Sequence, residues 1–339
     1  QVRRSELDEI LFRDAAAEGA TTIEGCQVQK VAFDADGADV LARLDDGVER
    51  RWRALFVVDA SGRDTLLANQ LGSKQRNPRH NSAALFGHFR GARRLPGKLE
   101  GNISIFWFQH GWFWFIPLAD GITSVGATCW PQYLKSRDKP LSEFFADTIA
   151  MSPELAERLR GAELVDGKVH ATGNYSYSSS ICQGDRCLLL GDAYAFIDPV
   201  FSSGVHMAMT SAFEGAKVVQ AFFEQPQALP AARRRFQAVM RRGPREFSWF
   251  IFRMTNPAMR GLFMQPRNPL GAKSAVLSVL AGDIYGRMPF KPSLWLFKLI
   301  YWCSTLAHAP RSWKAWRMRR RLVVDVGALP GENVLTGPR

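Results

Sequence analysis

The sequence predicts an α/β protein with two lobes and a helical C-terminal region. Two short apolar runs, residues 55–58 and 187–190, lead directly into Asp59 and Gly191-Asp192, as is common where buried parallel strands end. Residues 83–128 contain four aromatic-rich runs of strand length, which indicate a separate second sheet. Beyond residue 230 the composition favours helices interrupted by prolines.

The composition excludes a disordered chain and gives no sign of a metal site. The 339 residues are 46% hydrophobic, enough for a large core. The five cysteines form no C-x-x-C pair, and the six histidines show no metal-ligand spacing. These features are typical of a globular protein of the reducing cytoplasm.

The positive charge is concentrated in the C-terminal third of the chain. Residues 231–321 hold 19 Lys and Arg residues but only two acidic ones, Glu246 and Asp283, so their net charge of +17 exceeds the +12 of the whole chain, and the remaining residues carry −5. A solvated face explains such a block. The alternative is a surface that docks an acidic partner, such as a carrier protein, a phosphate-bearing substrate or an anionic membrane. No nucleic-acid motif accompanies the charge, so nucleic acid is not an expected partner.

One arginine cluster in this block is a candidate for the docking surface. Its members are Arg233, Arg234, Arg235, Arg241 and Arg242. Further along, the apolar stretch 293–307 contains Lys298 and is shorter than the ~20 residues that a membrane span needs. We therefore expect this stretch to form a buried or surface-lying helix.

The remaining elements follow from hydrophobic spacing and turn signals. Apolar residues spaced by three and four predict an amphipathic helix that ends near Gly19, and residues 28–33 and 40–44 predict a β-meander. Residues 141–159 predict a helix broken at Pro153. Before the helical C-terminal region, another helix is expected to begin near Ser203. Its predicted inner face consists of Val205, Ala208, Met209, Ala212, Ala216 and Val219.

Two strand ends carry residues suited to ligand binding. They are the segments Asp59-Ala60-Ser61-Gly62 and Gly191-Asp192-Ala193. Ligands of open α/β sheets gather at the carboxyl ends of strands, where a carboxylate accepts hydrogen bonds from sugar hydroxyls and glycine permits close approach. Each segment alone also fits an ordinary strand-to-helix turn. Their joint occurrence favours a cofactor site.

The second strand end continues into a loop at the start of the predicted helix. The loop contains Asp198-Pro199 and ends at Ser203-Gly204. Free backbone N–H groups and the positive end of the helix dipole make such an N-terminus a seat for an anion or for the electron-rich edge of a cofactor. A plain serine N-cap is the structural alternative.

These motifs together resemble the flavoprotein monooxygenase superfamily. Residues 59–62, 191–193 and 198–199 are similar to its internal FAD motifs, and the pattern R-x-x-L-D-x-x-L at residues 4–11 is similar to the helix that precedes them. Two narrower patterns resemble the flavin-dependent halogenases within it. These are W-x-W-x-I-P at residues 112–117 and F-x-x-P-x-x-S-x-G at residues 196–204.

The resemblance implies a set of functional residues. It assigns the FAD-binding role to Arg4, Asp59, Gly62, Gly191, Asp192, Asp198 and Pro199. The backbone amides of Ser203 and Gly204 would hold the halide. Trp112 and Trp114 would lie between flavin and substrate and prevent direct oxygenation, although core packing of the two alternating rings explains their spacing equally well. His206, at the start of the same helix, is expected to be a packing residue rather than a base.

The implied reaction uses reduced FAD, oxygen and halide to halogenate an electron-rich aromatic ring. The implied partners are a small aromatic substrate, free or bound to a carrier protein, the halide and a separate flavin reductase. Two alternatives stay open: an FAD-dependent hydroxylase or related reductase on the same scaffold, and a non-catalytic fragment.

The sequence departs from the family pattern at its front end. It contains no G-x-G-x-x-G after a strand, so the Rossmann-like FAD-binding lobe is expected to lack its first βαβ unit. The lysine that halogenases use lies in the part of their pattern that precedes Gln1, and this start without methionine indicates a fragment. The expected domains are the partial FAD-binding lobe at 1–75 and 165–230, the substrate-binding sheet at 76–164 and the basic helical region at 231–339.

Overall fold

The computed structural model of the protein describes residues 1–78, 80–173 and 176–324. Helices in these residues are α1 (Arg4–Ala17), α2 (Leu66–Gln70), α3 (Pro131–Lys135), α4 (Leu141–Ala150), α5 (Pro153–Arg158), α6 (Gly191–Tyr194), α7 (Gly204–Glu224), α8 (Leu229–Ile251), α9 (Pro257–Met264), α10 (Ala272–Leu280), α11 (Lys291–Ala307) and α12 (Ala309–Val324). Residues 325–339 of the predicted basic region lie outside the described residues.

The strands alternate with these helices and confirm the α/β class. They are β1 (Cys26–Phe33), β2 (Ala38–Leu44), β3 (Glu49–Ala54), β4 (Val57–Asp59), β5 (Lys74–Arg76), β6 (Ala83–Arg90), β7 (Ser104–Phe108), β8 (Gly111–Pro117), β9 (Ile122–Cys129), β10 (Glu163–Leu164), β11 (His170–Gly173), β12 (Tyr177–Ser179), β13 (Gln183–Gly184), β14 (Cys187–Leu189) and β15 (Ala195–Phe196).

The chain folds into two compact units. Among the described residues, the first unit contains 1–24 and 81–173, and the second contains 25–78, 80 and 176–324. Residues 1–24 thus accompany the large sheet, whereas the sequence pattern grouped them with 165–230. Which lobe binds FAD and which binds substrate stays a prediction.

The first unit is built on a six-stranded antiparallel sheet. Its strand order is β10-β6-β9-β8-β7, with β11 paired to β6. One face carries fully buried Phe113, Phe115 and Val125, which pack against Leu134 of α3 and Phe145 of α4. The four predicted strands at 83–128 and the helix break at Pro153 are confirmed.

Helix α1 of the first unit differs from its prediction. Its bounds agree, but none of its residues is buried, and Ile10 and Leu11 are 64% and 45% exposed. The spacing of apolar residues on this helix therefore does not mark a core-facing side in this structure.

The second unit combines three small sheets with the C-terminal helices. Strands β1, β2 and β3 form the predicted meander, and β5, β12 and β15 form a second antiparallel sheet. In the third sheet β14 pairs in parallel with β4 and antiparallel with β13. The parallel strand predicted at residues 55–58 is confirmed, but its predicted burial on both faces is wrong, because Val58 is 42% exposed.

Helix α7 packs through a different face from the one predicted. The buried residues include Ser211, Gly215 and Val218, whereas Met209 is 44% exposed. Gly215 allows this packing because a Cβ there would lie 3.0 Å from Cδ2 of Leu190. The predicted inner face instead borders an apolar groove of about 610 Å³, lined by Val58, Leu190, Ala212, Ala216, Val219 and Phe223 among others.

Helix α8 uses three of its predicted docking arginines within the unit. Arg233 donates to the backbone oxygens of Gly184 and Asp185, at 2.9 and 2.5 Å. Arg235 binds Glu214 at 2.7 Å, and Nη2 of Arg242 lies 2.9 Å from Sδ of Met288. Arg234 and Arg241 are exposed, and docking of an acidic partner by the five arginines stays a prediction. Among the described residues, no helix is long and apolar enough to cross a bilayer.

Candidate functional site

The two acidic strand ends meet at one edge of the third sheet. Leu189 of β14 pairs with Asp59 of β4, and the backbone N–H of Leu190 donates to the carbonyl oxygen of Asp59 at 2.9 Å. Because the two strands are parallel, the segments that follow them leave the sheet at the same edge. The structure thus brings together two motifs whose first residues, Asp59 and Gly191, lie 132 positions apart in the sequence.

Asp59 directs its carboxylate into its own loop. Oδ1 accepts from the amide of Ser61 at 2.9 Å, and Oδ2 accepts from the amide of Leu67 in α2 at 2.8 Å. The residue is 5% exposed. Gly62 follows at a φ of 62°, a conformation that glycine adopts without strain. These contacts make Asp59 the residue that shapes this turn, while its contact with FAD stays a prediction.

Gly191 lies where helix α7 comes closest to the strand end. Its φ is 49°, and a Cβ would lie 2.9 Å from Cβ of Ala208. Its amide donates to Oγ of Ser211 at 2.9 Å. Only glycine satisfies both the left-handed backbone and this close approach.

Asp192 lies beside the beginning of α7. It is half-buried, and its Oδ1 is 3.9 Å from the point where a Cβ on Gly204 would lie. The hydroxyl of Tyr177 donates to the backbone oxygen of Asp192 at 2.9 Å. Burial raises the pKa of Tyr177 well above its usual value, so the phenol keeps its proton for this bond. The turn that carries Asp192 is therefore anchored to β12.

Asp198 anchors the loop that precedes α7. Its Oδ1 accepts from the amide of Val200 at 3.0 Å, and its Oδ2 lies 2.7 Å from Nε2 of His80. Pro199 begins the single 3-10 turn Pro199–Phe201, and Ser202 then adopts a φ of 51°. The buried Asp198–His80 pair thus holds a loop whose backbone is otherwise strained.

A basic side chain from the C-terminal helices completes this pair. Nη2 of Arg319 lies 3.4 Å from Nδ1 of His80, and its guanidinium lies over the ring of Phe252 at 5.4 Å. Burial lowers the pKa of Arg319 to about 10. Because a guanidinium only donates, Nδ1 accepts and Nε2 carries the hydrogen that Asp198 receives. Sequence reasoning missed His80 and Arg319, since neither lies in a motif.

The N-terminus of α7 is formed by Ser203 and Gly204. Ser203 is buried and accepts the amide of Met207 at its carbonyl, but its side chain makes no capping bond. A Cβ on Gly204 would meet Asp192 and Phe196 only at 3.9 Å. The first amides of the helix therefore border a small space that a methyl group could enter, as an anion seat requires. His206 stacks on Tyr285 at 5.7 Å, which confirms its packing contact.

Trp112 and Trp114 lie on the sheet face opposite the core of the first unit. The core face of β8 carries Phe113 and Phe115, both fully buried. The two indole centroids are 6.0 Å apart, and Nε1 of Trp114 donates to Oγ of Ser124 at 3.2 Å. Trp112 is buried, with 8% of its surface exposed, and Trp114 is half-buried, but neither ring belongs to the core cluster around Phe113 and Phe115.

Arg4 forms an ion pair within its own helix. Its Nε and Nη2 atoms each lie 3.1 Å from a carboxylate oxygen of Asp8. The pair is exposed, and the role of Arg4 toward FAD stays a prediction. Among the described residues, no cluster of His, Cys, Asp and Glu is suited to a metal ion.

The family model of tryptophan halogenases matches residues 1–256. The chain belongs to the tryptophan halogenase family. This membership confirms the family indicated by the motifs at 112–117 and 196–204, and the match ends before α9 begins.

Individual members of this family show how far the similarity extends. The flavin-dependent halogenase armH3 of Armillaria mellea is 35% identical over 245 residues, which cover 65% of this chain and 48% of armH3. The 1H-pyrrole-2-carbonyl-[peptidyl-carrier protein] chlorinase of Pseudomonas fluorescens is 28% identical over 292 residues, which cover 84% of this chain and 64% of the chlorinase.

A solved family member supports the fold. The myxobacterial chondrochloren halogenase CndH superposes with a TM-score of 0.72 at 31% identity, covering 83% of this chain and 67% of CndH. This chain spans about half the length of several tryptophan halogenase relatives that it matches, namely 48% and 43% for two of them.

Proposed function

We propose that the whole protein is an FAD-dependent halogenase that acts on an electron-rich aromatic ring with reduced FAD, oxygen and halide. The observation that carries the proposal is the position of Trp112 and Trp114. The W-x-W-x-I-P motif could have served the core, but its tryptophans lie on the other face of the sheet. There the buried Trp112 and the half-buried Trp114 would form the steric barrier between flavin and substrate that the halogenase motif implies.

The second unit supplies the residues that would hold FAD. Gly191 permits a close backbone approach, Asp192 offers a half-buried carboxylate for ribityl hydroxyls, and the N-terminus of α7 suits an electron-rich edge. When bound, FAD would supply the redox chemistry. Asp59 and Asp198 would act as positioning residues, because backbone amides and His80 engage their carboxylates.

The halide would lie at the first amides of α7. Ser203 and Gly204 have no side chain that blocks these amides, and the positive helix end favours an anion. The protein would thus contribute binding and orientation of the halide there.

The proposed substrate class is a small aromatic compound, free or attached to a carrier protein. Similarity to the pyrrolyl-carrier chlorinase supports the carrier-bound form. A separate flavin reductase would deliver reduced FAD, and we propose a cytoplasmic site of action.

Product analysis tests this function. The whole protein, supplied with reduced FAD, oxygen, bromide and a panel of phenols, pyrroles and indoles, is expected to yield products with the bromine isotope pair. Products that gain only oxygen would instead support the hydroxylase alternative. A flavin titration of the 339-residue chain addresses the non-catalytic alternative, since a chain that holds FAD by itself changes the flavin spectrum.

A further inference from the structure

Among the residues that the structure describes, helix α11 has one apolar face that is covered and a second that is exposed. Leu294, Phe297 and Tyr301 are buried against the rest of the second unit. On the other side lies a stripe spaced by four, three and four residues, which places its members on one line of the helix. Their exposed fractions are 69% for Trp295, 58% for Leu299, 48% for Trp302 and 74% for Leu306.

Helix α12 extends this apolar stripe. Trp313 and Trp316 are 60% and 48% exposed, and their rings stack at 5.0 Å. We call the six residues the α11–α12 surface: Trp295, Leu299, Trp302, Leu306, Trp313 and Trp316. Contiguous exposed apolar side chains of this size mark an interaction site in a globular protein.

The segment that carries the α11–α12 surface contains basic residues and no acidic ones. Residues 291–320 contain no Asp or Glu, and their basic residues are Lys291, Lys298, Arg311, Lys314, Arg317, Arg319 and Arg320. Nζ of Lys298 lies 5.5 Å from the centroid of the Trp295 ring, and the guanidinium of Arg320 lies 5.3 Å from that of Trp316. Cations therefore flank the exposed indoles directly.

A groove runs along the same surface. Its volume is about 860 Å³, and Trp302, Leu306, Trp313, Trp316, Arg319 and Arg320 contribute to its lining. The groove thus combines apolar walls with guanidinium groups, which matches a molecule that has an apolar chain and an anionic head.

We propose that the α11–α12 surface docks the protein on an anionic phospholipid bilayer. Indoles and leucines would enter the boundary between head groups and acyl chains, while lysine and arginine heads reach the phosphates. The stripe from Trp295 to Leu306 is about 16 Å long at the rise of an α-helix, so α11 would lie in the plane of the membrane surface. The surface lies beyond the part matched by the family model, which ends at residue 256.

The composition of the surface favours a bilayer over an acidic protein. An acidic protein would pair with the cations but would need an apolar ridge of matching shape to cover four tryptophans. A bilayer covers such a stripe without shape complementarity, and tryptophan is enriched at its interface. The proposal goes beyond halogenation and does not depend on it.

Vesicle sedimentation of the 339-residue chain tests the proposal. We expect the chain to bind vesicles of phosphatidylcholine that contain a quarter of phosphatidylglycerol, and to bind pure phosphatidylcholine at least about tenfold more weakly. The double variant Leu299→Ser, Leu306→Ser should lower the partition coefficient about tenfold or more, because two apolar side chains no longer enter the lipid. Lys314→Glu with Arg317→Glu should have an effect of similar size.

A matched control separates this surface from exposed apolar residues in general. Ile10 and Leu11 of α1 are 64% and 45% exposed, and Ile10→Ser with Leu11→Ser should leave vesicle binding unchanged. Circular dichroism and melting temperature confirm that all variants fold. As a second readout, brominated lipids should quench tryptophan fluorescence, and the Trp295→Phe, Trp302→Phe variant should lose part of that quenching, because Trp313 and Trp316 remain on the surface.

Three results would overturn the proposal. The first is equal or absent binding to both vesicle types, and the second is an unchanged partition coefficient for the Leu299→Ser, Leu306→Ser variant. The third is another occupant in place of vesicles, either a second copy of the chain, seen by analytical ultracentrifugation as a dimer that the same variant dissociates, or an acidic carrier protein that the chain captures. This third result would assign the surface to that partner.

Discussion

The indole of Trp114 lies across Gly126 of the neighbouring strand. The two residues pair directly between β8 and β9, and a Cβ on Gly126 would lie 2.5 Å from Cη2 of Trp114. A glycine at this position is therefore what allows the ring to lie flat against the sheet. Phe86, the partner of Gly126 on β6, lies beside the ring at 6.1 Å between centroids.

Because Trp114 is only half-buried, its removal should cost less stability than the removal of a fully buried ring. We expect Trp114→Ala to lower the free energy of unfolding by less than Phe113→Ala, for which a loss of about 3 to 5 kcal/mol is typical of a core phenylalanine. Urea denaturation of both variants measures the difference. In the whole protein, Trp114→Ala should also change the ratio of halogenated to oxygenated product. Equal destabilisation by both variants with an unchanged product ratio would contradict the steric role.

The two glycines near α7 should respond in opposite ways to alanine. Gly191→Ala should destabilise by about 1 to 2 kcal/mol from the left-handed backbone alone, and more from contact with Ala208. Gly204→Ala should keep or raise the melting temperature, because its methyl group meets only ordinary contacts and alanine favours helix. In the whole protein, Gly204→Ala should raise the bromide KM. An unchanged bromide KM would argue against a halide at these amides.

Asp198 should matter for stability even without cofactor. Asp198→Ala removes a charged acceptor from the amide of Val200 and from His80, so we expect a loss of about 1.5 to 3 kcal/mol in the free energy of unfolding. The exposed Asp138→Ala serves as the control and should change little. Were Asp198→Ala to leave unfolding unaffected while lowering FAD affinity, a direct cofactor contact would replace the positioning role.

Asp192 should matter for cofactor affinity instead. If its carboxylate accepts ribityl hydroxyls, Asp192→Ala in the whole protein should weaken FAD binding by about 1.5 to 3 kcal/mol, the range for hydrogen bonds to a charged group. Fluorescence titration with FAD measures this change. Retention of flavin at the wild-type level would remove Asp192 from the site.

Two histidines of the first unit should make its stability fall in mild acid. Burial lowers the pKa of His88, helped by the charges of His170 and Arg3 and opposed by Asp166, and burial also lowers the pKa of His110, which stacks on Tyr133. Below the ordinary histidine pKa of about 6.5, the unfolded chain therefore binds more protons than the folded chain does. The contribution of the two neutral histidines to the free energy of unfolding is complete above that pH and decreases as the pH falls toward their folded pKa values.

A variant without the two histidines separates their contribution to the pH dependence of stability from that of the carboxylates. His88→Gln with His110→Gln should show a smaller drop in melting temperature between neutral pH and pH 5 than the wild-type chain. Parallel pH curves for the two proteins would show that neither histidine contributes.

Much of the local structure follows from the sequence alone. Alternation and turn residues predict the meander and the four strands at 83–128, and Pro153 predicts the helix break, because these depend on backbone preferences within a few residues. The apolar run at residues 55–58 also predicts a parallel strand, but its pairing with the strand that ends at Leu189 was decided by the tertiary structure.

Only the tertiary structure decided which face of each element is covered. Periodicity shows that residues share a face, as for Met209 and Ala212 on α7 or Ile10 on α1, but burial depends on which surface another element reaches. The same limit applied to Trp112 and Trp114, whose alternation fits either side of the sheet.

Long-range polar contacts were also beyond the sequence. His80 and Asp198 are 118 positions apart, and Arg319 lies 239 positions from His80. No local preference records such pairs. They form because burying a carboxylate requires donors, and folding supplies those donors from whichever distant segments happen to pack beside it.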